Sequence, residues 1–271
     1  MVTTDSIELY LGDCLEIMQK IPDESVDLIL CDPPYGNIKT GLGSGTGVAA
    51  KKGYRKTEWD NPLSPEDIFQ AAGRILRPNG KLILFAQEPY TSQLIAQQIP
   101  KLPFSQRAIW LKDMFANALG VNKTLACFFE DILIFNKIHP KHDYGGGNPL
   151  RQYFIQERDK TGLIDRMNSQ FPNVFNLPEG EKYKANVFAY KRDKEKFHPT
   201  QKPIGLLEDL IATYTNPGMC VLDNCMGSGS TGVACVRTGR RFIGIEKDPQ
   251  YFQIAQDRLE AEADACGFLP L

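Results

Sequence analysis

Several residue patterns that define common protein classes are missing from this sequence. The seven cysteines are an odd number and none of them forms a CxxC pair, which disfavours a disulfide framework or a zinc site. No apolar run approaches the ~20 residues that a membrane-spanning helix needs, and no signal peptide opens the chain. We therefore expect reduced thiols, no metal and a cytoplasmic location.

A strong net charge is also lacking. The formal net charge is −2 over 271 residues, of which 24% are charged and 42% are hydrophobic. This composition predicts a globular protein with one large domain, or with one domain and an insertion. Because the chain as a whole is not a polycation, any contact with nucleic acid must come from local basic patches.

Strand and helix patterns alternate in the first and last parts of the chain, which predicts a mainly parallel sheet with helices on both faces. One helix is expected from Ser64 through Arg77, stopped by a turn at residues 78–80. The stretch 36–56 contains six glycines and predicts a mobile loop, either an ordinary insertion or a lid over a substrate. Further along, a strand is expected at residues 130–138, in a part of the chain that otherwise shows little periodicity.

One apolar run, at residues 26–31, ends in Asp-Pro-Pro-Tyr at residues 32–35. The run suits a strand buried on both faces, and the carboxyl end of such a strand is where open α/β sheets bind ligands. Each proline fixes its own φ and gives up an amide proton, so the stretch is stiff. By itself this pattern fits either a strand with a rigid turn or a catalytic acid held in place.

A second motif has glycines between a predicted strand and a predicted helix. Asp223 precedes Gly-Ser-Gly-Ser-Thr-Gly at residues 227–232, and Glu246 ends the following strand. Small residues let a ligand approach the backbone at the helix N-terminus, and Glu246 is placed to accept hydrogen bonds from ribose hydroxyls. The pattern fits both nicotinamide-dinucleotide enzymes and methyltransferases that use S-adenosylmethionine. Asp223 favours the methyltransferases, because an acid can hold the ammonium of an amino-acid cofactor.

Together the two motifs resemble those of the DNA amino-methyltransferases, and the resemblance covers nearly the whole chain. DPPY at 32–35 resembles the catalytic motif of that family, and FHPTQKP at 197–203 resembles the motif that precedes its cofactor loop. The order of the motifs, with the catalytic motif first, resembles the β group. This resemblance implies a Rossmann-like α/β methyltransferase fold with a mixed, mainly parallel seven-stranded sheet in circularly permuted order. It also implies three segments: 1–111 and 197–271 as the two parts of the catalytic domain, and 112–196 as an inserted target-recognition region. The permutation requires the strand of SIELYLGD to lie beside the strand of RFIGIE.

The resemblance assigns roles to individual residues. The catalytic residues that it implies are Asp32, Pro33, Pro34 and Tyr35. The cofactor-binding residues that it implies are Asp13, Cys14, Lys202, Asp223, Gly227, Gly229, Thr231 and Glu246. Within this second set, Asp13 would take the adenine amine of S-adenosylmethionine, Glu246 the ribose hydroxyls and Lys202 the methionine carboxylate.

The implied reaction is methylation of an exocyclic amine on a base flipped out of double-stranded DNA. Asp32 in DPPY favours the N6 amine of adenine, whereas a serine at that position would favour N4 of cytosine. Methylation at C5 of cytosine would need a Pro-Cys pair, which is absent. An RNA or protein-glutamine methyltransferase usually has Asn in place of Asp32 and the opposite motif order. A nicotinamide oxidoreductase would leave DPPY unexplained, and a non-catalytic DNA-binding subunit would need a broken motif.

Basic residues beside glycines or aromatics are candidates for DNA contacts. They are Lys51, Lys52, Arg55, Lys191 and Arg192, and Tyr35 is the candidate for stacking on the base. Such residues fit either a solvated surface or phosphate contacts combined with base stacking. A homodimer and a cognate restriction endonuclease are further partners that the resemblance suggests.

Overall fold

Nine strands in the described part of the chain form one sheet. The computed structural model describes residues 2–3, 6–34, 63–113, 125–138, 184–195, 197–198 and 200–266. The strands are β1 (Val2–Thr3), β2 (Ile7–Leu11), β3 (Val26–Cys31), β4 (Leu76–Ala86), β5 (Phe104–Leu111), β6 (Phe129–Asn136), β7 (Val187–Ala189), β8 (Cys220–Asp223) and β9 (Arg241–Glu246). The helices are α1 (Cys14–Met18), α2 (Pro65–Ile75), α3 (Tyr90–Ala96), α4 (Ile204–Tyr214), α5 (Ser230–Thr238) and α6 (Pro249–Ala265).

The strand order is β1-β2-β9-β8-β3-β4-β6-β5-β7. Neighbouring strands from β2 to β4 run parallel, and β6 is antiparallel to both β4 and β5. The expectation of a mixed, mainly parallel sheet is therefore confirmed. The expected number of seven strands is wrong, because β1 and β7 add short strands at the two edges. Strands of two and three residues are too short to show a hydrophobic period.

The strand expected beside RFIGIE does lie there. β2 pairs with β9 in parallel, with Leu11 opposite Glu246, and the amide of Gly12 continues the ladder by donating to the carbonyl of Glu246 at 2.8 Å. The residues that follow β2 therefore lie at the same edge of the sheet as the end of β9.

Both faces of the sheet are covered, as the alternation of strands and helices predicted. On β3, Leu28 and Leu30 belong to a core that α4, α5 and α6 complete, whereas Ile29 and Cys31 belong to a core that α1, α2 and α3 complete. A strand buried on both faces has to be apolar at successive positions, and this requirement explains the apolar run at residues 28–31, after Asp27.

The boundary between α2 and β4 differs from the prediction. The helix ends at Ile75, and Leu76 is already extended with ψ 139°. Leu76 is fully buried and pairs with Val26, so packing at the sheet outweighs the helical pattern. The Pro78-Asn79-Gly80 segment is an irregularity inside β4, where Asn79 adopts φ +67° and donates to the carbonyl of Lys137 at 3.0 Å.

Several predictions concern residues outside the described ones. They include the glycine-rich stretch 36–56 and most of the proposed target-recognition region, so the division into three segments stays a prediction. All seven cysteines are described, and each is a free thiol. Among the helices in the described ranges, none has both the length and the apolar character to cross a membrane.

Candidate active site

Four acidic residues from four neighbouring strands meet at the carboxyl edge of the sheet. Asp13 follows β2, Asp32 follows β3, Asp223 ends β8 and Glu246 ends β9. All four line one cavity of about 740 Å³. Parallel strands bring their carboxyl ends to one edge, which is why residues far apart in sequence converge here.

The glycine loop between β8 and α5 forms one wall of this cavity. Gly227 and Gly229 both have left-handed backbones, with φ +52° and +79°. A methyl group added at Gly229 would lie 2.9 Å from Cβ of Ala255, whereas the closest atom to one at Gly227 would be Cγ of His198 at 4.0 Å. A side chain at position 229 would collide with α6, whereas the lack of a side chain at Gly227 leaves open space on the side of the cavity.

Asp223 holds this loop in shape. Its Oδ2 accepts a hydrogen bond from the hydroxyl of Thr231 at 2.6 Å, and its Oδ1 accepts one from the amide of Cys225 at 3.1 Å. The side chain is 4% exposed. Burial raises its pKa to about 7, and the hydrogen bond from Thr231 opposes that rise. Asp223 thus gives the cavity a carboxyl group whose pKa lies near neutral pH.

Glu246 and Asp13 also line the cavity. The amides of Gly227, Lys247 and Asp248 each donate to the Glu246 carboxylate at 2.8 Å. Burial nevertheless raises the pKa of Glu246, although these three bonds favour its charged form. Asp13 is the N-cap of α1, and its Oδ2 lies 3.4 Å from the exposed ammonium of Lys247. Both acids keep lone pairs that a polar ligand can use.

Asp32 sits where the cavity meets the Asp-Pro-Pro stretch. Its Oδ2 accepts a short hydrogen bond from the Lys202 ammonium. Its Oδ1 is buried and has no hydrogen-bond partner among the described residues. Pro33 and Pro34 line the same cavity, and the carbonyl of Pro34 accepts from the amide of Leu63 at 3.3 Å, which anchors the stretch. A buried acceptor without a donor costs about 1–3 kcal/mol, so this atom is the natural target of a ligand N–H.

Lys202 connects the cavity to a second buried acid. Its ammonium bonds Asp32 and lies 3.5 Å from Oε1 of Glu130, and its predicted contact with the cofactor carboxylate stays a prediction. It also lies 5.0 Å from the centre of the Phe85 ring. Burial lowers the pKa of Lys202, but the two carboxylates more than offset that effect and the net shift is upward. The carboxylates of Asp32 and Glu130 therefore compensate the positive charge of Lys202.

Comparison with known proteins places this geometry in a family. A family model described as DNA methylase matches residues 26–257. The chain belongs to this DNA methylase family. It is 29% identical over 253 residues to the DNA adenine methyltransferase YhdJ of Escherichia coli (strain K12), across 92% of this chain and 81% of that protein. It is also 29% identical over 274 residues to the type II methyltransferase M2.DpnII of Streptococcus pneumoniae, across 94% of this chain and 90% of that protein.

Solved structures of DNA methylases have the same fold. The crystal structure of M1.HpyAVI aligns with a TM-score of 0.57 and 25% identity, covering 93% of this chain and 98% of that one. The PvuII DNA methyltransferase, described as cytosine-N4-specific, aligns with a TM-score of 0.60 and 19% identity, covering 98% of this chain and 93% of that one. The expectation of a Rossmann-like methyltransferase fold is confirmed.

In this DNA methylase, most of the residues singled out in the sequence meet at one cavity. The lining residues include Asp13, Cys14, Asp32, Pro33, Pro34, Lys202, Asp223, Gly227, Thr231 and Glu246. Their individual roles stay predictions. Four other candidates lie outside the described residues, so their roles also stay predictions: Tyr35, Lys51, Lys52 and Arg55.

The two described basic candidates lie away from the cavity lining. Lys191 is exposed, and the guanidinium of Arg192 pairs with Asp113 at 3.4 Å. Neither is among the residues that line the cavity. Their predicted contact with DNA would therefore be outside the catalytic centre.

Sequence reasoning missed three residues near Asp32. Glu130 and Lys112 form an ion pair of 3.0 Å next to Lys202. His198 lines the cavity, and its ring contacts that of Tyr251 edge to face, with the ring centroids 4.3 Å apart. Burial lowers the pKa of His198 to about 4, so its imidazole is neutral at pH 7. A charged residue inside the apolar strand FFEDILIFN was the available signal, because buried charges need partners.

No group of three or more His, Cys, Asp or Glu side chains in the described ranges is arranged to hold a metal ion.

Proposed function

We propose that this DNA methylase transfers a methyl group from S-adenosylmethionine to the exocyclic N6 amine of adenine in double-stranded DNA. The observation that carries the proposal is Asp32, which lines the same cavity as Gly227 and whose buried Oδ1 atom has no hydrogen-bond donor among the described residues. The Asp32 carboxylate is a hydrogen-bond acceptor at the carboxyl edge of a parallel sheet, in the same cavity as the glycine loop that leaves room for a ligand.

The residues of the cavity fit S-adenosylmethionine. A volume of about 740 Å³ lies within the usual range for sites that hold small molecules, about 300–1,000 Å³. Gly227 gives the open approach that an amino-acid moiety needs, and Asp223 behind it can balance an ammonium. Glu246 and Asp13 supply acceptors for the ribose hydroxyls and the adenine amine. When bound, this cofactor supplies a methyl group on a positively charged sulfur.

Asp32 and Pro33 prepare the amine for reaction. The lone pair of an exocyclic amine is delocalised into the ring, so the amine is a weak nucleophile. If the Asp32 carboxylate and the Pro33 carbonyl accept its two N–H bonds, the nitrogen gains sp³ character and its lone pair is freed. Pro33 and Pro34 have fixed φ angles, so the two acceptors keep their spacing, and positioning of this kind can account for much of the rate.

Access to this site requires the base to leave the duplex. Asp32 is 21% exposed and lies inside a cavity, so an amine within a stacked base pair cannot reach it. We propose that the target base is flipped out of the helix and into the cavity. Tyr35, which directly follows the described part of this stretch, is the proposed stacking partner for the base.

Three observations bear on the choice between adenine and cytosine. The residue at position 32 is Asp, which favours adenine, and one relative is named an adenine methyltransferase. The likeness to the PvuII enzyme, whose described target is N4 of cytosine, supports the alternative. Either base offers an exocyclic amine that Asp32 could bind.

The test incubates the protein with DNA and cofactor carrying a labelled methyl group, then digests the DNA and separates the nucleosides. We expect N6-methyladenosine in its deoxy form, and recovery of N4-methylcytosine alone would overturn the adenine assignment. Asp32→Ala should abolish transfer while the protein still binds the cofactor in calorimetry. Asp23→Asn is the matched control, because Asp23 is 70% exposed and pairs with Arg74 away from this cavity.

Partners beyond the DNA follow from the relatives. Several are type II methyltransferases, so we propose that a cognate restriction endonuclease exists and that the protein acts in the cytoplasm, where its substrate is. A homodimer is also proposed, and sedimentation equilibrium tests it. A monomer over the working concentration range would refute the dimer.

A further inference from the structure

A row of four alternating charges extends from Asp32 away from the cavity. Asp32 bonds Lys202, Lys202 lies 3.5 Å from Oε1 of Glu130, and Glu130 Oε2 lies 3.0 Å from Lys112. The side chains of Lys202, Glu130 and Lys112 are 6%, 4% and 10% exposed. The charged row therefore runs through the interior of the protein rather than over its surface.

Aromatic rings line this row. The ammonium of Lys202 lies 5.0 Å from the centre of the Phe85 ring, and that of Lys112 lies 5.0 Å from the centre of the Trp110 ring. Burying ions in such surroundings is costly, and a pair of apolar side chains would often be as stable or more stable. Stability alone therefore does not explain a buried row of charges. The row ends at the cavity with the carboxylate of Asp32, which points to a role in the site.

The two inner members of the row each have two partners of opposite sign. Lys202 lies between Asp32 and Glu130, and Glu130 lies between Lys202 and Lys112. If Glu130 were absent, Lys202 would have Asp32 as its only carboxylate partner among the described residues and would neutralise it more fully. Glu130 therefore takes a share of the Lys202 charge, and Lys112 in turn compensates Glu130.

We propose that Glu130 and Lys112 are positioning residues for the methyl-transfer reaction, which act through Lys202 to orient Asp32 and to set its ionisation. Lys202 occupies the Oδ2 atom, which leaves Oδ1, buried and without a donor among the described residues, as the acceptor for the amine. This proposal rests on the proposed function, because it concerns the same carboxylate.

The charges that face Asp32 fix the sign of the expected effects. They come from every element around it: Lys202 before α4, Glu130 on β6, Lys112 after β5, Asp223 on β8 and, if ionised, the thiol of Cys31 on β3. Burial raises the pKa of Asp32, Lys202 and Lys112 oppose the rise, and Glu130 adds to it. Removal of the Glu130 charge should therefore lower the pKa of Asp32, and removal of the Lys202 charge should raise it.

The experiment measures the single-turnover rate of methyl transfer as a function of pH, so that product release does not hide the chemical step. In Glu130→Gln, the acid limb of the profile should move to lower pH and the maximal rate should fall about tenfold to a hundredfold, as expected for a misplaced reacting group. In Lys202→Met, the acid limb should move to higher pH. Glu130→Asp should restore part of the lost rate.

Asp131→Asn is the matched control. Asp131 is the next residue on β6 and is 2% exposed, and it bonds Arg107 and Thr91. Successive residues of a strand point to opposite faces, so Asp131 is a buried ion-pair acid on the other side of the sheet. Its replacement should lower thermal stability and leave the acid limb in place.

The outcomes separate the two proposals. A wild-type acid limb and rate in Glu130→Gln, or an equal shift in Asp131→Asn, would overturn the positioning role. If Glu130→Gln does not fold, Lys202→Met/Glu130→Gln is compared with Lys202→Met, and its acid limb should lie at lower pH than that of the single variant; equal acid limbs would also overturn the role. Failure of the proposed function would look different, since the wild type would then transfer no methyl group or Asp32→Ala would stay active.

Discussion

Gly227→Ala places a methyl group in the cavity, and Gly229→Ala places one against α6. Both residues have left-handed backbones, which cost an alanine about 1–2 kcal/mol. At Gly227 no atom of the described residues lies closer to the new methyl than 4.0 Å, so backbone strain is the effect on stability that we expect there. At Gly229 the methyl also meets Ala255 at 2.9 Å from Cβ and 3.1 Å from Cα, and overpacking of this kind raises the total loss to about 2–5 kcal/mol.

Gly218→Ala is the control for backbone strain. Gly218 has φ +80° with nothing within 4 Å of an added methyl, and it does not line the cavity. Urea unfolding gives the free energy of unfolding, and titration calorimetry gives the affinity for S-adenosylmethionine. We expect Gly227→Ala and Gly218→Ala to lose similar stability, but Gly227→Ala alone of these two to bind the cofactor at least about tenfold more weakly, or about 1.4 kcal/mol.

The reasoning would be refuted by Gly227→Ala binding the cofactor with wild-type affinity. It would also be refuted if Gly229→Ala were no less stable than Gly218→Ala, because the contact with Ala255 would then carry no cost.

Three further perturbations test other parts of the structure. Burial raises the pKa of Asp223 to about 7, so between pH ~4 and 7 the folded state keeps a proton that the unfolded state loses, and the free energy of unfolding falls as pH rises. Asp223→Asn should remove this fall and increase the free energy of unfolding at pH 8 by at most about 4 kcal/mol, as measured by urea unfolding. The same substitution should weaken cofactor binding. Burial lowers the pKa of His198 to about 4, so its contribution to stability is lost as pH falls from about 6.5 towards 4; the stability difference between the wild type and His198→Gln should shrink over that range, and a constant difference would contradict this. Lys191→Ala and Arg192→Ala should each reduce the slope of log affinity for DNA against log salt by about 0.9 if the side chain contacts a phosphate, as measured by fluorescence anisotropy; an unchanged slope would rule out that contact.

The sequence was sufficient to predict the elements that carry the ligand edge of the sheet. Asp32, Asp223 and Glu246 each follow an apolar run, and the end of such a run indicates where a strand buried on both faces reaches the edge of the sheet. The permuted motif order then required β2 to lie beside β9, and the pairing of Leu11 with Glu246 confirms this.

Long-range contacts set the limit of sequence reasoning. Lys202 and Asp32 are 170 residues apart in the chain, and no local pattern shows that the ammonium of Lys202 bonds the carboxylate of Asp32. The helix boundary at Ile75 was missed for a related reason: Leu76 fits a helical period equally well, and its pairing with Val26 decides in favour of a strand. Tertiary packing overrides local preference at such positions.

The pairing of β2 with β9 also determines when this protein can begin to work during its synthesis. Ile7 and its neighbours wait for Phe242 to be made before they gain their parallel partner, and β3 waits similarly for Val221. At about 5–20 residues per second, the ribosome needs roughly 10–50 seconds to make the intervening chain. A nascent chain therefore leaves one edge of β2 and one edge of β3 unpaired for that time and has no complete cavity, so the newly made protein cannot modify DNA before strand β9 has left the ribosome.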